Sequence, residues 1–177
     1  NVIYDNYKVD TKVEITLEAN PDDLNLTKVK QLSLTKINRL SIGIQSFFED
    51  DLKEMNRAHN SDEAKRSIEI SIKYFDNVSI DLMYGMPKMS NNKWEKNLDI
   101  AFDYNLKHMS CYAITVEPKT TLEYFIKTNK YPALDDNLAA KHFEILVEKT
   151  AKADFTHYEV CSFGKPGYFS KHNTNYW

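Results

Sequence analysis

The sequence is short of glycine, with 4 in 177 residues, where ordinary usage of roughly 7% would give about twelve. A chain this poor in glycine has no flexible linker and no collagen-like tract, and each glycine it keeps is expected where the backbone requires one. Cysteine is scarcer. Cys111 and Cys161 are the two present and form no CxxC pair, so neither a disulfide framework nor a self-contained zinc or iron–sulfur site is expected, and a reducing compartment such as the cytoplasm is. Long apolar runs are missing: none approaches the roughly 20 residues that span a bilayer, so no transmembrane segment is expected. Charge of one sign does not dominate either. Lys and Arg total 23 against 26 Asp and Glu, a formal net charge of -3, and without a basic field nucleic acid is not an expected partner. Residues 1–10 (NVIYDNYKVD) lack an initiator Met, a basic segment and an apolar segment. They read as neither a signal peptide nor an obvious natural start, and the chain is expected to be a piece of a longer protein.

What is present is the composition of one folded unit, 42% hydrophobic and 28% charged, with residues 1–177 expected as a single domain. Short β-branched runs alternate with longer helical stretches, the pattern of βα units around a parallel sheet. Strands are expected at 13–18 (VEITLE), 39–45 (RLSIGIQ), 78–83 (VSIDLM) and 108–116 (HMSCYAITV), with one more at 157–163 (HYEVCSF). Helices are expected to start at Asp22 or Asp23 behind Pro21, at Asn60 with Glu63 three residues on, and at Ser90 ahead of Trp94, Leu98 and Phe102. A short helix is expected over 49–56 and a long one over 135–152.

The strands are more polar on one side than a sheet covered on both faces allows. Val13, Ile15 and Leu17 oppose Glu14, Thr16 and Glu18; Leu40, Ile42 and Ile44 oppose Ser41, Gly43 and Gln45; Val78, Ile80 and Leu82 oppose Ser79 and Asp81. Unpaired buried polar groups cost about 1–3 kcal/mol each, so this face is expected to line a wet or ligand-filled cavity. Glu18, Gln45 and Asp81 fall at or near the C-terminal edge of that face, where α/β folds bind ligands. Two carboxylates and an amide suit an ammonium, hydroxyls or amide-like edges, such as the ribose diol and amino group of a nucleotide-linked amino acid. The plainer reading is that they are exposed strand-end polar residues. Arg57 taken alone reads as a solvated charge, and Cys111 and Cys161 as small core residues. Gly85 and Pro87 (in YGMP) read as a turn. In the tail, His172 stands near Asn173, Tyr176 and Trp177. This grouping suits a heme ligand or porphyrin stacking, and equally a capped surface turn with packed aromatics.

Taken together, the segments EITLEANP (14–21), NRLSIGIQSF (38–47), RAH (57–59), DLMYGMP (81–87), HYE (157–159) and HNTNYW (172–177) resemble the HemW-like heme chaperones. These are close relatives of the oxygen-independent coproporphyrinogen III oxidases within the radical S-adenosylmethionine (SAM) enzymes. The resemblance implies a partial (βα)6 TIM-like barrel, with about four parallel strands, a C-terminal strand and a tail. It implies that Glu18, Gln45, Arg57 and Asp81 contact SAM: Arg57 at the carboxylate, Glu18 toward the amino end, Asp81 and Gln45 at the ribose. Ala113 or Thr115 would offer backbone groups to the adenine. The HNxxYW ending implies heme handling near His172, and hence a heme or porphyrin partner and a heme-acceptor protein. The intact parent would bind a 4Fe–4S cluster as well as SAM. The family's CxxxCxxC loop and the glycine-rich segment after it are absent and are expected upstream, with a further domain downstream, so these 177 residues alone are expected to be inactive. Two alternatives stand beside this reading: a true coproporphyrinogen III decarboxylase of heme biosynthesis, and a degenerate, non-catalytic binding module.

Overall fold

The computed structural model describes residues 2–175. Its centre is a six-stranded sheet in the order β1-β2-β3-β4-β6-β5. β1 (Thr16–Ala19), β2 (Arg39–Gln45), β3 (Asn77–Tyr84) and β4 (His108–Ala113) run parallel, each paired with the next in sequence. This is the consequence of placing a helical crossover between successive strands. The crossovers are α2 (Leu26–Ser33) between β1 and β2, α3 (Glu49–Glu54) and α4 (Ser61–Ser71) between β2 and β3, and α5 (Asn91–Asp103) between β3 and β4. Their starts follow the side-chain chemistry. Asn60 accepts from the Asp62 and Glu63 amides while the Glu63 carboxylate takes the Asn60 amide, a reciprocal capping box. Ser90 caps α5 through the Lys93 amide. The α2 start departs from expectation: Pro21–Asp23 forms one 3-10 turn, and Asn25 caps the α-helix through the Lys28 amide.

The apolar side of the strands is the core. Leu40, Ile42, Ile44, Ile80 and Leu82 are wholly buried there, packed with Ile68 of α4 and Trp94 and Leu98 of α5. The later helix α7 (Asp136–Lys152), capped by Asp135, completes this layer. Its buried His142 gives its backbone carbonyl to the Trp94 indole N–H at 2.9 Å. Preceding it are α1 (Val2–Asn6) at the start of the chain and α6 (Thr121–Lys127) after β4.

Three strand expectations are corrected. β1 begins at Thr16 rather than Val13, because the Asn38 side chain stands in for a ladder partner, accepting from the Ile15 amide at 2.8 Å and donating to the Val13 carbonyl at 2.7 Å. β4 ends at Ala113 rather than Val116. The single strand expected over 157–163 is a hairpin of β5 (Thr156–Glu159) and β6 (Ser162–Gly164), with β6 antiparallel to β4. Glu159 builds the turn: its Oε2 accepts from the Cys161 amide at 3.2 Å and the Ser162 hydroxyl at 2.9 Å. Cys111 and Cys161 are free thiols, Cys111 buried as expected. The Cys111 amide donates to the Cys161 carbonyl at 2.8 Å. The last helix, α8 (Lys171–Thr174), folds under the sheet, its Lys171 amide donating to Glu14 at 3.0 Å. Among the described residues no helix is long and apolar enough to cross a membrane.

Candidate functional site

The polar face of the sheet opens into two adjoining pockets. The smaller, about 310 Å³, lies at the C-terminal edge and is lined by Glu18, Asn20, Gly43, Gln45, Arg57 and Asp81, among others. All four residues expected at a SAM site therefore meet in one place. The larger, about 760 Å³, extends below it toward the strand starts and shares Glu18, Ser41 and Asp81 with the first. Neither Ala113 nor Thr115 lines these two pockets; Thr115 hydrogen-bonds Glu117 instead, at 3.2 Å.

Local backbone geometry gathers the four residues. β2 carries one extra residue relative to β3, since Ile42 pairs with Ile80 but Gln45 pairs with Leu82. This bulge leaves Gln45 at φ 66°, a left-handed conformation uncommon for a residue with a side chain. The structure beneath holds it there. Ser46, buried, donates to the buried Asp51 carboxylate at 2.7 Å, and the Phe47 amide donates to Asn97 at 2.7 Å. Lys93 pairs with Asp51 at 2.8 Å and Asp50 at 2.6 Å. The buried His59 donates from Nε2 to the Ile44 carbonyl at 3.1 Å, fixing the same strand end.

Arg57 is not a solvated charge. Its Nη2 donates to Asn20 Oδ1 at 2.7 Å and to the Gly43 carbonyl at 3.3 Å, while its buried Nε has no partner. Gly43 is needed for this approach, because a Cβ there would stand 2.9 Å from Gln45 Nε2 and 3.4 Å from Arg57 Nη2. Asp81, half-buried, has its carboxyl pushed up to about 6, by burial first and by the nearby Glu18 charge second. Ser41 donates to it at a long 3.4 Å. The pocket thus presents a guanidinium with unspent donors facing two closely spaced carboxylates, an arrangement that suits a zwitterion with attached hydroxyls.

Arg39 on the wall of the larger cavity, and the residues packed behind it, were not singled out by the strand alternation. Arg39 (4% exposed) and His108 (0% exposed) are buried side by side, with Arg39 Nη2 3.2 Å from His108 Nδ1. Ser79 Oγ is 2.6 Å from that same nitrogen, and His108 Nε2 is 2.6 Å from the Tyr158 hydroxyl. Burial first and the Arg39 charge second lower His108 to about 3, so it is neutral, accepting at Nδ1 and donating from Nε2. The signal for this group was a charged and a titratable residue at the starts of two otherwise apolar strands. The Tyr158 hydroxyl also accepts from the Ser170 amide at 3.0 Å, and its ring stacks on Phe169 with centroids 4.4 Å apart. These contacts pin the tail beneath the sheet and bring His172, on α8, to the wall of the larger cavity. Tyr176 and Trp177, grouped with it in the sequence, lie outside the described residues. Among the described residues no set of three or more His, Cys, Asp or Glu is arranged to hold a metal ion.

The sequence profile of the radical SAM superfamily matches residues 2–101. The chain is 37% identical over 172 residues to a protein of Buchnera aphidicola named heme chaperone HemW, covering 96% of this chain and 44% of that protein. It is 34% identical over 165 residues to a heme chaperone HemW of Bacillus subtilis, covering 93% and 44%. The chain thus spans less than half the length of these relatives. Among solved structures, coproporphyrinogen III oxidase (HemN) of Escherichia coli, described as a radical SAM enzyme, superposes with a TM-score of 0.78 at 19% identity, over 93% of this chain and 38% of that one. The sheet of parallel strands with its helical layer is therefore part of a TIM-like barrel of that kind. With the superfamily profile covering more than half of its length, the chain belongs to the radical SAM superfamily.

Proposed function

We propose that this chain is the SAM-binding core of a HemW-type heme chaperone, with Glu18, Gln45, Arg57 and Asp81 holding SAM. The observation that carries the proposal is that these four residues line one pocket, which shares Glu18, Ser41 and Asp81 with the cavity against which His172 lies. The residues fit SAM. Arg57 keeps donors free for a carboxylate, Glu18 is an acceptor for an ammonium, and Asp81 and Gln45 offer acceptor and amide groups to ribose hydroxyls. Gly43 leaves the room that a side chain would fill. SAM held against a reduced 4Fe–4S cluster supplies one-electron radical chemistry. The cluster itself does not fit here, since the chain has 2 cysteines and cluster ligation takes three or four thiolates. The residues of this chain bind and orient SAM, and Ser46, Asp51, Asn97 and His59 hold the Gln45 turn in place. Heme, in this reading, is cargo received near His172 and passed to an acceptor protein.

The test is anaerobic incubation of the cluster-reconstituted holoprotein with SAM, reductant and coproporphyrinogen III, with heme binding followed by absorbance. Heme binding without decarboxylated product is the expected outcome. Product formed in proportion to SAM cleavage would make the protein an oxidase. Absence of heme binding would overturn the chaperone reading. Arg57→Ala should weaken SAM binding by about tenfold or more while leaving the circular dichroism spectrum unchanged; unchanged SAM affinity would remove Arg57 from the site.

A further inference from the structure

Arg39 is a buried cation with no ion-paired carboxylate among the described residues. At 4% exposed it retains almost no contact with water, yet among the described residues no carboxylate lies within ion-pair distance of it. Among the described residues its side chain makes one hydrogen-bond contact, with His108 Nδ1 at 3.2 Å, and that nitrogen has a single lone pair, which Ser79 already takes at 2.6 Å. The Arg39 Nε is buried with no partner at all. A guanidinium carries five N–H donors in a planar fork, and a protein that removes it from water leaves its charge uncompensated unless an anion arrives. The residue lies on the wall of the 760 Å³ cavity, on the same strand face as Ser41, with Thr16 opposite it in the register.

The acids that also line this cavity do not supply the missing charge. Asp10 caps the Lys12 amide at 2.8 Å, Glu14 accepts from the Lys171 amide at 3.0 Å, Glu18 lies on the side shared with the SAM pocket, and Asp81 feels the Arg39 charge without forming an ion pair with it. His108 cannot supply it either, because it stays neutral between Ser79 and Tyr158. A guanidinium with unused donors at a cavity wall suits a carboxylate ligand. We propose that Arg39 is the carboxylate-binding residue of the large cavity and that, building on the heme-chaperone reading above, it receives a porphyrin propionate while His172 lies at the wall of the same cavity. A planar fork and a carboxylate match in bidentate geometry, and the cavity volume lies within the range of sites that enclose a cofactor-sized ligand.

The test compares zinc protoporphyrin IX with its dimethyl ester by fluorescence titration of the holoprotein, for the wild type and Arg39→Gln. The wild type should bind the free acid about tenfold or more tightly than the ester, and in Arg39→Gln the two ligands should bind alike. Equal affinities in the wild type, or a preference that persists unchanged in Arg39→Gln, would overturn the assignment. Because Arg39→Gln touches a buried network and can fail to fold, the Arg39 Nε–H resonance of the wild type is followed as well. It should move with the free acid and stay put with the ester; no movement with either, when both bind, overturns the proposal. If neither porphyrin binds, the heme reading falls and acetate decides the site. A saturable shift of the same resonance with acetate, absent with acetamide, keeps Arg39 as a carboxylate site, and its absence ends that assignment too.

Discussion

At the scale of single residues, Asp81 shows a conflict between stability and binding. Its carboxyl sits between β2 and β4 beside Glu18 and is raised from 3.8 to about 6. Below pH 4 both folded and unfolded chains carry it protonated, so folding is not penalised. As pH rises, the unfolded chain ionises first, the folded form lags, and the penalty is complete above pH 6. Replacing the group by an amide of the same shape removes that penalty. Asp81→Asn should therefore raise the melting temperature at pH 7.5 by about 6–12 °C, a gain of roughly 3 kcal/mol, and the gain should vanish near pH 3.5. The same variant should lose SAM affinity, since the amide offers a ribose diol one acceptor and an unwanted donor. A melting temperature that does not rise at neutral pH would show that Asp81 is relieved by a partner in solution.

At the scale of elements, the turn of the β5–β6 hairpin is closed by side chains, Glu159 holding two donors and His157 Nε2 lying 3.2 Å from the Val160 carbonyl. The turn at Val160 and Cys161 contains no Gly, Asn or Pro, and Glu159 Oε2 takes its amide and hydroxyl donors instead. Glu159→Ala should destabilise the chain by about 1–3 kcal/mol by leaving those donors unpaired, measured as a lower urea midpoint, while Glu159→Gln, which keeps an acceptor, should cost less. If alanine and glutamine cost the same, the turn is set by its backbone. This explains why the hairpin was not visible in the sequence: HYEVCSF reads as one β-branched and aromatic run when the turn signal is a carboxylate rather than a backbone-permissive residue. The β2 bulge was half visible. Gly43 stood out in a chain with 4 glycines, but Gln45 at φ 66° is held by contacts of Ser46 and Phe47 to Asn97, which join residues 51 and 50 positions apart and leave no local trace. The parallel strands and the polar face were legible because period-two alternation records burial directly. Arg39 and His108 were not, because at the start of a strand a polar residue reads as the end of the element rather than as part of a cavity wall or the packing behind it.

At the scale of the whole molecule, the buried histidines make the fold sensitive to acid. His108 is lowered to about 3 and His142 to about 4, in both cases chiefly by burial, with the Arg39 charge adding to the first. Neither can take a proton without breaking its surroundings. His108 Nδ1 accepts from Ser79, and His142 Nδ1 accepts from the Gly85 amide at 3.1 Å at the end of β3. The unfolded chain protonates both near pH 6.5. Their stabilising contribution is therefore full above that pH and is lost progressively as pH falls toward the folded values. Asp81 works against them, since its penalty disappears over the same interval. Between pH 7.5 and pH 5 each histidine costs about 2 kcal/mol and Asp81 returns about 1 kcal/mol, a net loss of about 2–3 kcal/mol. Urea unfolding at the two pH values should show that loss in the wild type and a larger one, nearer 4 kcal/mol, in Asp81→Asn, which lacks the compensating group. Equal losses in the two proteins would mean that Asp81 titrates in its ordinary range, and a flat profile in both would mean that the two histidines accept protons without opening the sheet.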